Sequence, residues 1–178
     1  MEIVTSDHIQ GVKYARLNCF ADERGSFSEI FRREWFPDRT WGAVQLNRSI
    51  SKRNVLRGLH YHFHQIDYWY VLAGELRIAL VDLRATSQTF LQTEVIDLNA
   101  QSNTGIFIPP GVAHGYLAVT DGALMYVVDQ YFNAKDELGV RWDDPSVSID
   151  WGITSPILSP RDQGNPYWED VAAEWRPE

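Results

Sequence analysis

VLRGLHYHFHQIDYWYVLAG, from Val55 to Gly74, is the stretch whose reading decides the fold. Within it His60, His62 and His64 stand two residues apart, and a strand sends alternate side chains to one face. A second stretch, IPPGVAHGYLAV from Ile108 to Val119, adds His114 just after a Pro-Pro-Gly turn. Four of the five histidines of the chain therefore fall in two strand-like runs. Packing alone does not ask for this, because buried imidazoles need partners and exposed ones need no alignment. The pattern predicts the mouth of a β-barrel with a polar site inside.

Working outward, short apolar or alternating runs recur between turn signals. They are Val12–Cys19, Phe27–Arg33, Ala43–Ser49, Val55–Phe63, Tyr68–Leu72, Glu75–Leu83, Phe90–Ile96, Thr104–Ile108, Tyr116–Val119, Leu124–Tyr131 and Val147–Trp151. So many short strands with almost no helix between them predict an all-β sandwich or barrel. Prolines crowd the end of the chain, where WEDVAAEW, Trp168–Trp175, is the one candidate helix, with an acidic first turn suited to a helix start. No repeat or linker divides the chain, so residues 1–178 are expected to form a single domain, with 156–178 as a capping tail.

A net charge of −8 with no basic patch argues against a nucleic-acid partner, while a few arginines in a cleft remain able to hold a small anion. The single cysteine, Cys19, excludes an internal disulfide and is expected to be a packed thiol in a reducing compartment. The first residues lack the order of a secretory signal and no apolar run reaches membrane-spanning length, so the expectation is a cytoplasmic protein without a membrane partner.

Several stretches carry chemistry. DERGSFSEIF, Asp22–Phe31, opens with a turn bearing Arg24 and continues with Phe27 and Glu29 on one face; alone it reads as an ordinary hairpin. QLNRS turns Gln45 and Asn47 inward, which is costly unless the amides meet a ligand or each other. RGLHYH sets Arg57 three residues before His60, with Gly58 between them as a bulge where backbone or ligand comes close. LSPRD brings Asp162 from the far end of the chain. The aromatics Tyr61, Phe63, Tyr68, Trp69 and Tyr70 fill the space between sheets or an interface; His8 is expected at the surface and His64 at the rim.

The ordered set DERG-x-F-x-E, Q-x-N-x-S, LRGLHY, GE-x8-R, IPPG-x-AHGY, E-x-G-V-x-W-D-DP and LS-x-RD resembles the dTDP-4-dehydrorhamnose 3,5-epimerase family, from about Phe20 to Pro166. The resemblance implies a cupin-type jelly roll (a double-stranded β-helix), here ending in a short C-terminal helix. It also implies a homodimer with exchanged strands, no cofactor, and a nucleotide-sugar substrate of the 4-keto-6-deoxy type. By the same resemblance His60 is the base that removes a proton beside the ketone, and Asp162 the carboxylate that supports it. Arg57 and Arg24 hold diphosphate oxygens; His114, Gln45 and Asn47 line the sugar; Phe20, Phe27 and Glu29 shape the nucleotide end.

Two positions depart from the pattern. A family lysine near the ketone oxygen is replaced by Asp67, and the family's tyrosine acid falls on Phe132, with Tyr131 beside it. Exchanging an attracting cation about 4 Å from an enolate for an anion costs about 4 kcal/mol at an effective dielectric near 20. These departures favour inversion at a single carbon or a changed sugar. They also admit a rival, because His60, His62, Asp67 and His114 resemble the metal-binding motifs of the wider cupin superfamily. That rival is a metal-dependent oxygenase or isomerase with a divalent ion as cofactor. A third reading is a sugar-nucleotide binding protein without turnover.

Overall fold

The computed structural model describes all residues, Met1–Glu178. The strands are β1 (Glu2–Thr5), β2 (Lys13–Arg16), β3 (Phe20–Asp22), β4 (Gly25–Phe27), β5 (Gln45–Ser51), β6 (Leu56–Tyr61) and β7 (Asp67–Ala73). They continue as β8 (Glu75–Asp82), β9 (Thr93–Asn99), β10 (Thr104–Ile108), β11 (Val112–Ala118), β12 (Gly122–Val128) and β13 (Leu138–Gly139). One sheet runs β1-β2-β10-β7-β12-β5 and the other β13-β6-β11-β8-β9, while β3 and β4 form a separate hairpin. The chain therefore weaves between two facing antiparallel sheets, which is jelly-roll topology.

Alternation along the strands builds three apolar layers. Trp69, Val71, Ile78, Leu80, Ile106 and Tyr116 meet between the sheets. The residues between them in sequence point outward. Tyr68, Tyr70, Phe107 and Val127 pack under Phe36 and Trp41, while Ala79, Val81 and Leu117 pack under Val140, Trp151 and Trp168. Both outer faces are thus covered by loops, which explains why β7, β8 and β11 read as nearly continuous apolar runs.

One irregularity in β6 positions the site. Opposite β11, His114 pairs with His60 but Tyr116 pairs with Arg57, so β6 carries one extra residue there. Leu56, Leu59 and Tyr61 consequently face the outer layer, whereas Arg57 and His60 share the inner face with His62 despite their odd spacing. Gly58 makes this possible with φ +117°, and a Cβ on it would stand 2.7 Å from Gly115 Cα and from the His114 carbonyl oxygen. Gly58→Ala is expected to destabilise the fold by about 2 kcal/mol or more, read as a lowered urea midpoint at unchanged slope.

Several expectations need correction. The segment Trp168–Trp175 is not an α-helix but two 3-10 turns, Trp168–Asp170 and Ala173–Trp175. Arg176 donates to the carbonyls of Trp168, Glu169 and Val171, taking up acceptors that a continuous helix would use itself. The one α-helix, α1, is Pro160–Gly164. Val147–Trp151 forms no strand; it inserts Val147 and Trp151 into the outer layer as a loop. Phe27–Arg33 leaves its strand at Phe27, and Leu124–Tyr131 leaves β12 at Val128. Cys19 is exposed, because β2 ends at Arg16 and the thiol falls in the connection to β3.

Candidate active site

A cavity of about 260 Å³ lies between the sheets, lined by residues from both. From the five-stranded sheet come Arg57 and His60 on β6 and His114 and Tyr116 on β11, with His62 just beyond β6. From the six-stranded sheet come Ser49, Asp67, Trp69 and Tyr126. Helix α1 closes one side with Arg161 and Asp162.

Across more than half the chain length, His60 Nε2 meets Asp162 Oδ1 at 2.6 Å. Asp162 is fixed locally by a helix-capping arrangement. Ser159 Oγ accepts from the Asp162 backbone N–H at 3.1 Å and donates to Oδ2 at 2.9 Å, and Pro160 opens the helix. Burial opposes the charge on Asp162, but the bonds from His60 and Ser159 and the nearby Arg161 outweigh it and hold the carboxyl below its usual range. An ionised Asp162 accepts, so His60 carries its hydrogen on Nε2, which leaves on Nδ1 a lone pair able to accept a proton.

Deeper in, Asp67 is buried with Trp69 Nε1 donating to Oδ1 and Gln65 Nε2 donating to Oδ2, both at 3.1 Å. His62 and His114 approach the same Oδ2 at 3.6 and 3.9 Å. Burial, partly offset by Asp67, keeps the His114 imidazole neutral, far below its ordinary value. The Tyr116 hydroxyl is hydrogen-bonded to Ser49 Oγ at 2.7 Å and to Ser51 Oγ at 2.9 Å. The Tyr126 hydroxyl makes none of the hydrogen bonds that order the cavity; burial first, then Asp67 and Glu137, raise its pKa and keep it protonated.

Arg57 is aimed by Ser51 Oγ at 3.0 Å and the Ile50 carbonyl at 3.3 Å, and Arg161 is paired with Glu137 at 3.1 Å. Gln45 and Asn47 share the inward face of β5 with Ser49 and hydrogen-bond each other at 2.9 Å, outside the cavity lining. Phe132 is 68% exposed and Tyr131 is exposed as well; neither lines the cavity. The chain turns away there because Asp129 holds the Ile66 N–H at 3.0 Å and Arg39 at 2.6 Å. Phe20, Arg24 and Phe27 line a separate depression on the β3–β4 hairpin, where Arg24 is paired with Asp22; Glu29 is paired with Arg32. The alternation ends at His62, so His64 is turned out to solvent.

Sequence reasoning passed over Tyr126, Tyr116, Glu137, Ser159 and Arg161. Tyr126 was visible as an alternate position on a strand, facing the same way as Leu124, and Ser159-x-x-Asp162 as a helix-start signature. Glu137 opens the E-x-G-V-x-W-D-DP motif, but its place in a loop gave no periodicity from which to orient its side chain.

The chain is similar to known proteins in both sequence and fold. Residues 6–170 match the family model described as dTDP-4-dehydrorhamnose 3,5-epimerase. A Neisseria gonorrhoeae protein of that name is 39% identical over 165 residues, which cover 88% of this chain; the chain spans half the length of that relative. Among solved structures, an epimerase of Mycobacterium tuberculosis superposes with a TM-score of 0.93 at 30% identity, covering 100% of this chain and 94% of that one. A Legionella pneumophila dTDP-6-deoxy-D-glucose-3,5-epimerase in complex with dTDP-4-keto-L-rhamnose superposes with a TM-score of 0.91 at 32% identity, covering 99% and 97%.

Proposed function

The chain belongs to the dTDP-4-dehydrorhamnose 3,5-epimerase family, and on that premise we propose that it inverts a carbon beside the ketone of a nucleotide-linked 4-keto-6-deoxy sugar. The observation that carries this reading is the 2.6 Å His60–Asp162 contact at the wall of a cavity between the sheets. A hydrogen next to a carbonyl is removable because the electron pair left behind spreads onto oxygen as an enolate. His60 Nδ1 takes that proton, and Asp162 stabilises the imidazolium through Nε2. Tyr126 comes from the opposite sheet and carries a free hydroxyl, so it supplies the proton to the other face of the ring. Proton removal and return exchange no electrons, so the reaction calls for no redox cofactor.

Arg57 on the cavity wall is placed to meet a diphosphate oxygen. Arg24 is too far out on its own hairpin to share that task within one copy of the chain. A homodimer that lends the hairpin to its neighbour resolves this, and two features support it. The hairpin exposes Phe20 and Phe27, and the edge strand β5 exposes Leu46 and Ile50. The double variant Leu46→Lys/Ile50→Lys is expected to elute at monomer mass in light scattering while retaining its circular dichroism; an unchanged dimer mass excludes β5 from the interface. No helix is long and apolar enough to cross a membrane, and a cytoplasmic setting suits the exposed Cys19 thiol.

The test is incubation with a dTDP-4-keto-6-deoxyhexose in deuterated water. Deuterium is expected at C3, C5 or both, with inversion at the labelled carbon. Binding of dTDP without any exchange would reduce the protein to a sugar-nucleotide binder.

A further inference from the structure

Three side chains on the cavity floor meet with no cationic side chain among them. Asp67 is 3% exposed, and only imidazoles approach it within salt-bridge reach, His62 at 3.6 Å and His114 at 3.9 Å. Each imidazole spends Nδ1 on a backbone carbonyl, His62 on Asp136 at 2.6 Å and His114 on Val112 at 3.0 Å. A carbonyl only accepts, so both Nδ1 atoms carry hydrogens and Nε2 is the atom that each ring offers to a ligand. His114, itself 4% exposed, has no hydrogen-bond partner at Nε2. The ligating atoms of the three residues all lie within 4.8 Å of one another. Electron-pair donors that face each other repel, and a cation placed between them converts the repulsion into bonds.

We propose that His62, Asp67 and His114 form a binding site for a divalent first-row transition metal ion. Two imidazole nitrogens and a carboxylate oxygen suit zinc, iron, manganese or nickel. Each ligand is braced from behind, the two imidazoles by carbonyls and Asp67 by the Trp69 indole at 3.1 Å, which is how proteins orient metal ligands. Tetrahedral bonds of about 2.1 Å set ligand atoms about 3.4 Å apart. The 3.6 and 3.9 Å to Asp67 Oδ2 exceed this by a few tenths of an ångström, and the third edge, between the two imidazoles, lies within 4.8 Å, so modest side-chain shifts close the triangle. Gln65, on the loop between β6 and β7, now lays its amide on Asp67 at 3.1 Å and His62 at 3.3 Å, and it swings aside when the ion binds. His60 is outside the set, since only the ligating atoms of His62, Asp67 and His114 fall within 4.8 Å of one another, and its Nε2 is held by Asp162.

The remaining coordination positions open into the cavity that His60 also lines. Resting on the proposed function for this step alone, the ion supplies positive charge beside the keto oxygen, where negative charge grows as His60 removes the proton.

Metal binding is read without substrate. Protein purified without an affinity tag, stripped with chelator and titrated with cobalt(II) under nitrogen is expected to take up close to one ion per chain with a visible d–d band, displaced by zinc(II). His62→Ala, His114→Ala and the near-isosteric Asp67→Asn should each weaken binding at least tenfold, with folding checked by thermal unfolding. His64→Ala, outside the set, should leave binding unchanged, and Gln65→Ala should retain or tighten it. Uptake below about a tenth of an ion per chain, or uptake unaffected by His62→Ala and His114→Ala, overturns the site and assigns the gap to a proton held between Asp67 and an imidazole. Cobalt uptake without deuterium exchange would leave the metal site standing and remove the epimerase reading, whereas exchange in protein that takes up no metal would do the reverse.

Discussion

Replacing His60 with asparagine lowers deuterium incorporation from solvent into the keto sugar by about a thousandfold or more, the upper range for losing a positioned general base. Asparagine is the informative choice, since its amide can still donate to Asp162 and so keeps that carboxylate paired while removing the basic nitrogen. Substrate affinity should change little, because Arg57 is aimed by Ser51 and Ile50 and not by the imidazole. Asp162→Asn should fall between the wild-type protein and His60→Asn: the ring remains, but its tautomer is no longer fixed and the imidazolium loses its counter-charge. The ionisation of Asp162 gives this support a direction in pH. The carboxyl lies below its usual range, so the support is complete at neutral pH and is lost only as pH falls through that depressed value. Full exchange in His60→Asn would move the base to another residue of the cavity.

How much of this arrangement could be read beforehand depended on how local each cause was. The facing sheets follow from strand-length apolar runs, and the inward turn of His60, His62 and His114 follows from a period of two. The shared face of Arg57 and His60 needed one more signal, Gly58, whose backbone admits the extra residue in β6. The tail departs from its sequence pattern for a tertiary reason. WEDVAAEW has the composition of a helix, but the carbonyls that would close it are taken by Arg176, and Trp168 donates its N–H to Asp144. The exposure of Cys19 has a similar origin: an apolar run does not guarantee a strand once its neighbour, β10, has run out of residues to pair. The hairpin of Arg24 shows a different limit: its arginine stands apart from the cavity, paired with Asp22, and nothing in the alternation of its own short strands announces that separation.

Tyr126→Phe should separate two events that a single assay merges. Removing the hydroxyl leaves His60 and Asp162 in place, so abstraction and return of the proton on the same face continue and deuterium still enters the substrate. Inversion needs a donor on the opposite wall, and the epimerised product should fall by about a hundredfold or more. Elimination within the cavity singles out this residue. Its two tyrosines are Tyr116, whose hydroxyl is engaged by Ser49 and Ser51, and Tyr126, whose hydroxyl is free and which stands on β12 across from β6. Burial raises the pKa of that phenol and keeps it protonated at neutral pH, so it is available as a donor. Nuclear magnetic resonance of the recovered sugar reports both outcomes at once, label position and configuration. Loss of exchange together with inversion would make Tyr126 a structural support of the cavity, whereas a rise in rate on Phe132→Tyr would move the acid to the exposed segment after β12.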